Sequence, residues 1–240
     1  MNKRISVLSV PIDCVTMDEA VQRILQLIEQ PGLHLVATAN AEMVMLANEN
    51  PTLHSILNNA SLVVPDGAGI LWAAERQGEH VPERVTGVDV TKELFKVAAT
   101  HQIPVYCLGA APGVAQRAID NVSAQVGVLN IAGIHDGFFD SAEEQEIIKS
   151  IADSKAKLVF VALGVPKQEQ WIAEKLSHLD GVVAIGIGGS FDVLAGNIPR
   201  APEWMQQNRL EWLYRLYLEP QRIGRMLAIP KFMWTVIRNK

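Results

Sequence analysis

Short apolar runs without polar alternation recur along residues 1–195 of the chain. They are rich in Val and Ile, which is typical of strands that are covered on both faces of a sheet. We predict seven strands from these runs, at residues 5–10, 33–38, 62–64, 103–108, 128–131, 158–163 and 182–187. Helical patterns fill the intervals, at residues 17–28, 41–48, 52–59, 69–76, 88–100, 113–126, 142–154 and 166–176.

The alternation of strands and helices predicts an α/β protein, with a Rossmann-like layered fold and a mostly parallel sheet. The alternation stops after Gly196, and residues 202–239 predict two or three helices that are broken at Pro220 and Pro230. We therefore expect a core over residues 1–196 and a helical appendage over residues 197–240.

Composition excludes several classes of protein. Hydrophobic residues make up 49% of the chain and charged residues 20%, which is ordinary for a globular protein. Two cysteines, Cys14 and Cys107, are too few for a disulfide framework or a zinc ribbon, so we expect a reducing, cytoplasmic compartment.

The N-terminal residues superficially resemble a lipoprotein signal, because basic residues precede an apolar stretch that leads to Cys14. Pro11 interrupts that stretch and Asp13 lies just before the cysteine, so we expect an opening strand instead. No apolar run approaches the ~18–20 residues of a membrane-spanning helix. We expect a protein that is soluble or lies on a membrane surface.

Charge is unevenly distributed along the chain. The net charge is −5, yet residues 200–240 hold eight Lys or Arg against three acidic residues, a net charge of +5. Three of the five Trp and two of the three Tyr lie in the same segment. Basic and aromatic residues on a helical pattern are typical of segments that meet membrane surfaces or phosphorylated ligands.

Polar loops follow most of the predicted strands. In an open α/β sheet these loops meet at the carboxyl edge, where ligands bind, and together they indicate a site the size of a nucleotide. Residues 186–190 (GIGGS) could hold a phosphate, although the third glycine of the dinucleotide fingerprint is absent. The alternative is a plain glycine turn in which Ser190 caps the following helix. Residues 136–139 (DGFF) could line a base or ribose pocket or form a plain turn.

Individual charged residues in these loops remain ambiguous. Asp66 could cap the following helix or serve as a general base. Lys167, in the first turn of a predicted helix, could bind an anion or point into solvent. Arg215, Arg222 and Arg225 would lie close together on a continuous helix and could clamp an anion, or could be solvated. The sequence has no Asp-x-Asp pair of the kind that binds a metal ion in sugar-nucleotide sites, so we expect no metal or other cofactor.

Taken together, the ordered motifs resemble the TagA/WecG/CpsF-type glycosyltransferases over almost the whole chain. The matching segments are TANAE at 38–42, PDG at 65–67, RVTGVD at 84–89, DGFF at 136–139, GVPKQE at 164–169, GIGGSFDV at 186–193, Gly196, RAP at 200–202 and EWLYRL at 211–216. The resemblance implies an inverting, metal-independent transfer of a sugar, commonly N-acetylmannosamine, from a UDP donor to a polyprenyl-diphosphate-linked N-acetylglucosamine. It also implies a place at the inner face of the cell membrane, in teichoic acid, common antigen or capsule and exopolysaccharide synthesis.

The resemblance assigns roles to particular residues. It implies that Asp66 is the base and that Thr38, Asn40, Arg84 and Gln168 share its pocket. Substrate-binding residues are expected at Gly109, Asp136, Gly137, Phe138, Gly164, Lys167, Gly188, Gly189, Asp192, Arg215, Arg222 and Arg225. Phe138 departs from the Tyr that relatives often carry, and this change would alter contacts with the donor.

Other functions remain open at this point. The motifs do not fix the donor sugar, so N-acetylmannosaminuronic acid or a hexose is an alternative. A nicotinamide oxidoreductase and a non-catalytic sugar-nucleotide or membrane-binding module are further alternatives. We expect no nucleic-acid partner, and a homo-oligomer is possible.

Overall fold

The computed structural model describes residues 3–208 and 210–239, without the side chains of Gln207 and Arg222. The strands are β1 (Arg4–Val7), β2 (Val10–Asp13), β3 (Leu33–Ala39), β4 (Leu62–Pro65), β5 (Val105–Gly109), β6 (Ile131–His135), β7 (Leu158–Ala162) and β8 (Val182–Gly186). The first nine helices are α1 (Met17–Ile28), α2 (Ala41–Glu49), α3 (Pro51–Asn59), α4 (Ala68–Arg76), α5 (Gly87–His101), α6 (Val114–Val126), α7 (Ser141–Asp153), α8 (Lys167–Lys175) and α9 (Ser190–Leu194). The C-terminal helices are α10 (Glu203–Gln207), α11 (Glu211–Leu218), a 3₁₀ turn (Pro220–Arg222), α12 (Ile223–Met226) and α13 (Ala228–Arg238).

Six parallel strands form the main sheet, in the order β4-β3-β8-β7-β5-β6. Every residue of β5, β7 and β8 is buried, since helices cover both faces of the sheet. Burial on both faces explains why these strands are continuous apolar runs. The prediction of a Rossmann-like layered α/β fold is confirmed.

The predicted first strand is wrong, because residues 5–10 contain a turn. β1 and β2 form an antiparallel hairpin in which Val7 pairs with Val10. Leu8 and Ser9 make the two-residue turn with φ of 48° and 67°. Positive φ at both turn residues matches the right-handed twist of the hairpin, although Gly or Asn is the usual residue there.

Two other boundaries differ from the predictions. The strand expected at residues 128–131 begins only at Ile131, and Val128 is 80% exposed. Pro230 does not break a helix, because it lies in the first turn of α13, where its missing N–H group needs no partner within the helix. Pro220 does separate helices, since α11 ends at Leu218 and the 3₁₀ turn begins at Pro220.

The last helix packs onto the α/β core. α13 lies against α2 and α4, and Phe232 and Val236 are buried in the same apolar cluster as those helices. Gly69 in α4 lies beside Phe232, and an added Cβ there would be in ordinary van der Waals contact with the ring, at 3.5 Å. An ion pair between Lys231 and Glu49 joins the rims of this contact. The C-terminal segment is thus held over the edge of the sheet by α13.

Large apolar side chains remain exposed along the C-terminal segment. They are Trp204, Trp212, Leu213, Tyr217, Ile223, Leu227, Met233, Trp234 and Ile237. None of the described helices is both long and apolar enough to span a membrane.

Candidate active site

A cavity of about 630 Å³ lies between the carboxyl edge of the sheet and the C-terminal helices. Loops after β3, β4, β7 and β8 form its base, and residues of α11, α12 and α13 form the opposite wall. The predicted site residues that line it are Thr38, Asn40, Asp66, Arg84, Gly164, Gln168, Gly188, Gly189, Asp192, Arg215 and Arg225. Strand ends and C-terminal helices thus contribute to one site, as expected for an open α/β sheet.

Asp66 does not cap the helix that follows it. The N-cap of α4 is Gly67, which makes no side-chain hydrogen bond to the helix. The carboxyl group of Asp66 lies instead beside Gly87, whose backbone N–H lowers the pKa of that carboxyl. Asp66 therefore faces the cavity with its carboxylate available for chemistry.

The surroundings of Asp66 make it a stronger base than an ordinary aspartate. Burial raises the pKa of this carboxyl from 3.8 to about 6, and the charge of Glu211 adds to the rise, while Arg84, Gly87 and Arg215 act in the opposite direction. The carboxylate is still ionised at neutral pH. A base whose pKa lies near the operating pH takes up a proton more readily in a transition state.

Arg84 is shared between the core and the C-terminal segment. Its guanidinium forms a half-buried ion pair with Glu211 of α11, which lies 127 positions further along the chain. Arg84 Nε is buried and has no hydrogen-bond partner within the described part of the chain. Arg84 is therefore placed to donate to an anionic ligand in the cavity.

Thr38 and Asn40 both hold the base of the cavity in shape. Thr38 Oγ1 donates to the carbonyl of Gly186 at 3.0 Å, which joins the ends of β3 and β8. Asn40 Oδ1 caps α2 by accepting from Met43 N at 3.0 Å. Gly67 lies against Asn40 so closely that an added Cβ would be 2.9 Å from Asn40 Cβ.

Gln168 is fully buried at the start of α8. Its Oε1 accepts from Gly188 N at 3.0 Å, and its Nε2 donates to Glu169 Oε1 at 2.7 Å. Sequence reasoning gave no role to Glu169, nor to Glu211. Glu169 follows Gln168 directly in the GVPKQE motif, which was the available signal, whereas nothing local points to the pairing of Glu211 with Arg84.

A smaller cavity of about 300 Å³ adjoins the first and shares Asp192 with it. Gly137 and Phe138 line it, and Phe138 is 72% exposed. Gly109, Asp136 and Lys167 line neither cavity. Asp136 accepts from Phe138 N within its turn, and Lys167 Nζ lies over the ring of Phe139 at 5.3 Å from the centroid.

The predicted arginine cluster is brought partly together. Arg215 and Arg225 both line the main cavity, while the side chain of Arg222 lies outside the described residues. Arg225 Nε lies 3.4 Å from Glu42 Oε1, and its Nη2 comes near Gly164. These contacts place cationic side chains opposite the strand ends.

Within residues 3–208 and 210–239, no group of three or more His, Cys, Asp or Glu side chains could hold a metal ion.

Comparison with known proteins identifies the family. The family model described as "Glycosyl transferase WecG/TagA/CpsF family" matches residues 5–240. The N-acetylglucosaminyldiphosphoundecaprenol N-acetyl-beta-D-mannosaminyltransferase of Bacillus subtilis (strain 168) is 35% identical over 206 residues, which is 86% of this chain and 80% of the relative. The protein of the same name from Staphylococcus aureus (strain NCTC 8325 / PS 47) is 31% identical over 239 residues, which is 99% of this chain and 93% of the relative. These relatives are transferases, which favours that interpretation over a nicotinamide oxidoreductase. The chain belongs to the WecG/TagA/CpsF family of glycosyltransferases.

Proposed function

We propose that the chain transfers N-acetylmannosamine from a UDP donor to N-acetylglucosamine linked through a diphosphate to a polyprenol. The names of the relatives support this donor sugar and this acceptor. The observation that carries the proposal is the position of the Asp66 carboxyl, which does not cap α4 and faces a cavity that also contains Arg84 and Arg215. Its pKa, raised to about 6, suits it to act as a base.

Asp66 acts as the general base in this proposal. Its carboxylate removes the proton from the attacking hydroxyl of the acceptor sugar, and that oxygen forms a bond to the anomeric carbon of the donor. The bond from the anomeric carbon to the UDP oxygen breaks on the opposite face, so the configuration inverts. The proton passes from Asp66 to solvent after UDP leaves. A positioned base of this kind contributes roughly 10²–10⁴-fold to a rate.

Arginines stabilise the leaving group. Negative charge develops on the diphosphate as the bond to UDP breaks, and Arg84, Arg215 and Arg225 line the same cavity. Preorganised cations in a partly enclosed site stabilise such charge strongly. Because these side chains supply the positive charge, we expect transfer to persist when divalent cations are removed with EDTA.

The smaller cavity is the proposed position of the uridine. Asp192 lies at the junction of the two cavities and can accept hydrogen bonds from the ribose hydroxyls. The exposed ring of Phe138 can cover the base. This arrangement directs the diphosphate and the sugar toward Asp66 in the larger cavity.

The exposed apolar residues of the C-terminal segment are the proposed membrane contact. Trp212, Tyr217 and Trp234 are amphipathic side chains of the kind that accumulate at a membrane interface, and basic residues lie between them. This contact would bring the lipid-linked acceptor to the cavity wall formed by α11–α13. We place the protein at the cytoplasmic face of the membrane, where the UDP-sugar is available.

The experiment measures transfer of radiolabelled N-acetylmannosamine from its UDP donor to a short-chain prenyl-diphosphate N-acetylglucosamine, with EDTA present. A labelled lipid disaccharide is expected. UDP-N-acetylglucosamine serves as the matched donor control and should give little product. If the chain binds UDP but makes no disaccharide from the mannosamine donor, the proposed donor or acceptor is wrong.

A further inference from the structure

Glu169 is a buried acid to which the proposed reaction assigns no role. It lies in the first turn of α8 and is 0% exposed. Its Oε1 accepts from Gln168, while Oε2 has no hydrogen-bond partner in the described chain. Burial raises the pKa of this carboxyl to about 7. An enclosed carboxyl without a salt-bridge partner among the described residues is costly for folding, so stability alone is a poor reason for its presence.

Contacts of Glu169 lead directly to the cavity. One hydrogen of the Gln168 amide is held by Glu169 at 2.7 Å, and the amide oxygen is held by Gly188 N at 3.0 Å. Gln168 and Gly188 both line the main cavity, while Glu169 lies behind them. A primary amide has two N–H hydrogens, so one remains for a ligand.

The end of β8 is built around this pair. An added Cβ on Gly186 would lie 2.6 Å from Gln168 Nε2 and 2.8 Å from Glu169 Oε1. Because Gly186 has no side chain, Gln168 and Glu169 can pack directly against the end of β8. Thr38 Oγ1 holds the carbonyl of the same glycine. Residues of α8, of β8 with the loop that follows it, and of the end of β3 thus meet around the Gln168–Glu169 pair.

We propose that Glu169 is a positioning residue, which holds the Gln168 amide with its oxygen on Gly188 and its free N–H toward the sugar-donor cavity. The two ends of an amide are nearly equal in shape, so only hydrogen-bond partners decide which end faces a ligand. A flipped amide would place its oxygen against the Glu169 carboxyl and its NH2 group against the backbone N–H of Gly188. It would also present an oxygen, rather than a donor, to the anionic diphosphate. This inference rests on the proposed transferase function.

The test is a double-mutant cycle on the full-length protein. Glu169→Met removes the acceptor at similar length, and we expect kcat to fall at least tenfold while the donor KM changes less than threefold. Glu169→Gln retains an acceptor oxygen and should recover kcat to within about threefold of the wild type. In a Gln168→Met background, Glu169→Met should cause less than a further twofold loss, because Glu169 acts only through Gln168.

Glu144→Gln is the matched control. Glu144 lies in α7 and contacts the helix that carries Glu169: it accepts a hydrogen bond from Trp171 Nε1 and forms an ion pair with Lys175. It lines neither cavity. Its replacement should leave kcat unchanged. An unchanged kcat in folded Glu169→Met, or losses at Gln168 and Glu169 that multiply in the double variant, would overturn the positioning role. If Glu169→Met does not fold, Glu169→Asp withdraws the carboxylate by one methylene, and a fully active Asp variant overturns the proposal equally.

A second readout needs no turnover. Exchange of the Gly188 amide hydrogen, followed by NMR, should accelerate at least tenfold in Glu169→Met, because the Gln168 oxygen is no longer held against it. Unchanged exchange would refute the positioning role. A wild-type chain that transfers no sugar would refute the proposed function instead, and this exchange measurement keeps the two failures distinct.

Discussion

Replacement of the proposed base should stabilise the fold while it removes activity. The pKa of Asp66 is raised from 3.8 to about 6, mainly by burial. At roughly 1.4 kcal/mol for each tenfold change in an acid constant, this rise means that the ionised carboxylate destabilises the native state by about 3 kcal/mol. Asp66→Asn removes the ionisation and keeps the size of the side chain beside Gly87.

The size of this stabilisation depends on pH. Because the pKa of Asp66 is higher in the folded than in the unfolded chain, the folded chain binds more protons between pH 3.8 and about 6. Stability of the wild type therefore falls as pH rises through that window. The Asn variant should be more stable by about 2–3 kcal/mol at pH 7.5, which corresponds to roughly 5–10 °C in Tm for a chain of this size. Near pH 5 the gain in the free energy of unfolding of the Asn variant should be about half as large.

Thermal and urea unfolding at pH 5 and pH 7.5 measure this difference. Asp153→Asn is the control, since Asp153 is an exposed carboxylate at the end of α7 and should change Tm little at either pH. A Tm gain for Asp66→Asn that is equal at both pH values would show that charge burial is not its cause. A lower Tm at pH 7.5 would refute the reasoning.

The remaining predictions concern the pH profile and the C-terminal segment. Because Asp66 must be ionised, kcat/KM should rise as the pH increases through about 6. Glu211→Gln removes a charge that raises the pKa of Asp66, so this rise should move to lower pH. A pH profile that does not move would contradict the electrostatic effect of Glu211 on Asp66. Phe232→Ala should destabilise the fold by about 3–5 kcal/mol in urea unfolding, because the ring is fully buried. Trp234 is 67% exposed, so Trp234→Ala should change the free energy of unfolding by less than about 0.5 kcal/mol. The same variant should sediment less with anionic vesicles, and vesicle binding equal to that of the wild type would contradict the membrane contact. Truncation after residue 196 should abolish both transfer and vesicle binding, and normal activity on a lipid acceptor would refute the arginine clamp.

The layered fold was predictable because its strands are buried on both faces. Burial on both sides leaves an apolar run with no alternation, and the runs at β5, β7 and β8 therefore stand out. The hairpin at β1 and β2 was not predictable from such a run. Its turn uses Leu8 and Ser9 at positive φ rather than Gly or Asn, so the apolar pattern continues through the turn.

The site was predictable where strand ends supply it. Thr38 lies at the end of β3, and Asp66 and Gly188 follow β4 and β8. The topology of a parallel sheet brings such positions together. Sequence alone left Asp66 open between a cap and a base, and the structure shows that Gly67 occupies the cap position.

Long-range partners were not predictable from the sequence. Glu211 pairs with Arg84 across 127 positions, and no local pattern marks such a pairing. Glu169 lies next to Gln168 in sequence, yet a Glu in the first turn of a helix is ordinarily a favourable exposed charge. Only the packing of α8 against β8 shows that it is buried.

The most direct test of the central claim compares Asp66→Asn with the wild type in the lipid-acceptor assay, with UDP binding measured on the same samples. The account predicts that kcat falls by roughly 10²–10⁴-fold. It also predicts that the Kd for UDP stays within about twofold, because the variant loses the base and keeps the arginines. Full turnover by Asp66→Asn would show that another group removes the proton, and the proposed mechanism would then be wrong.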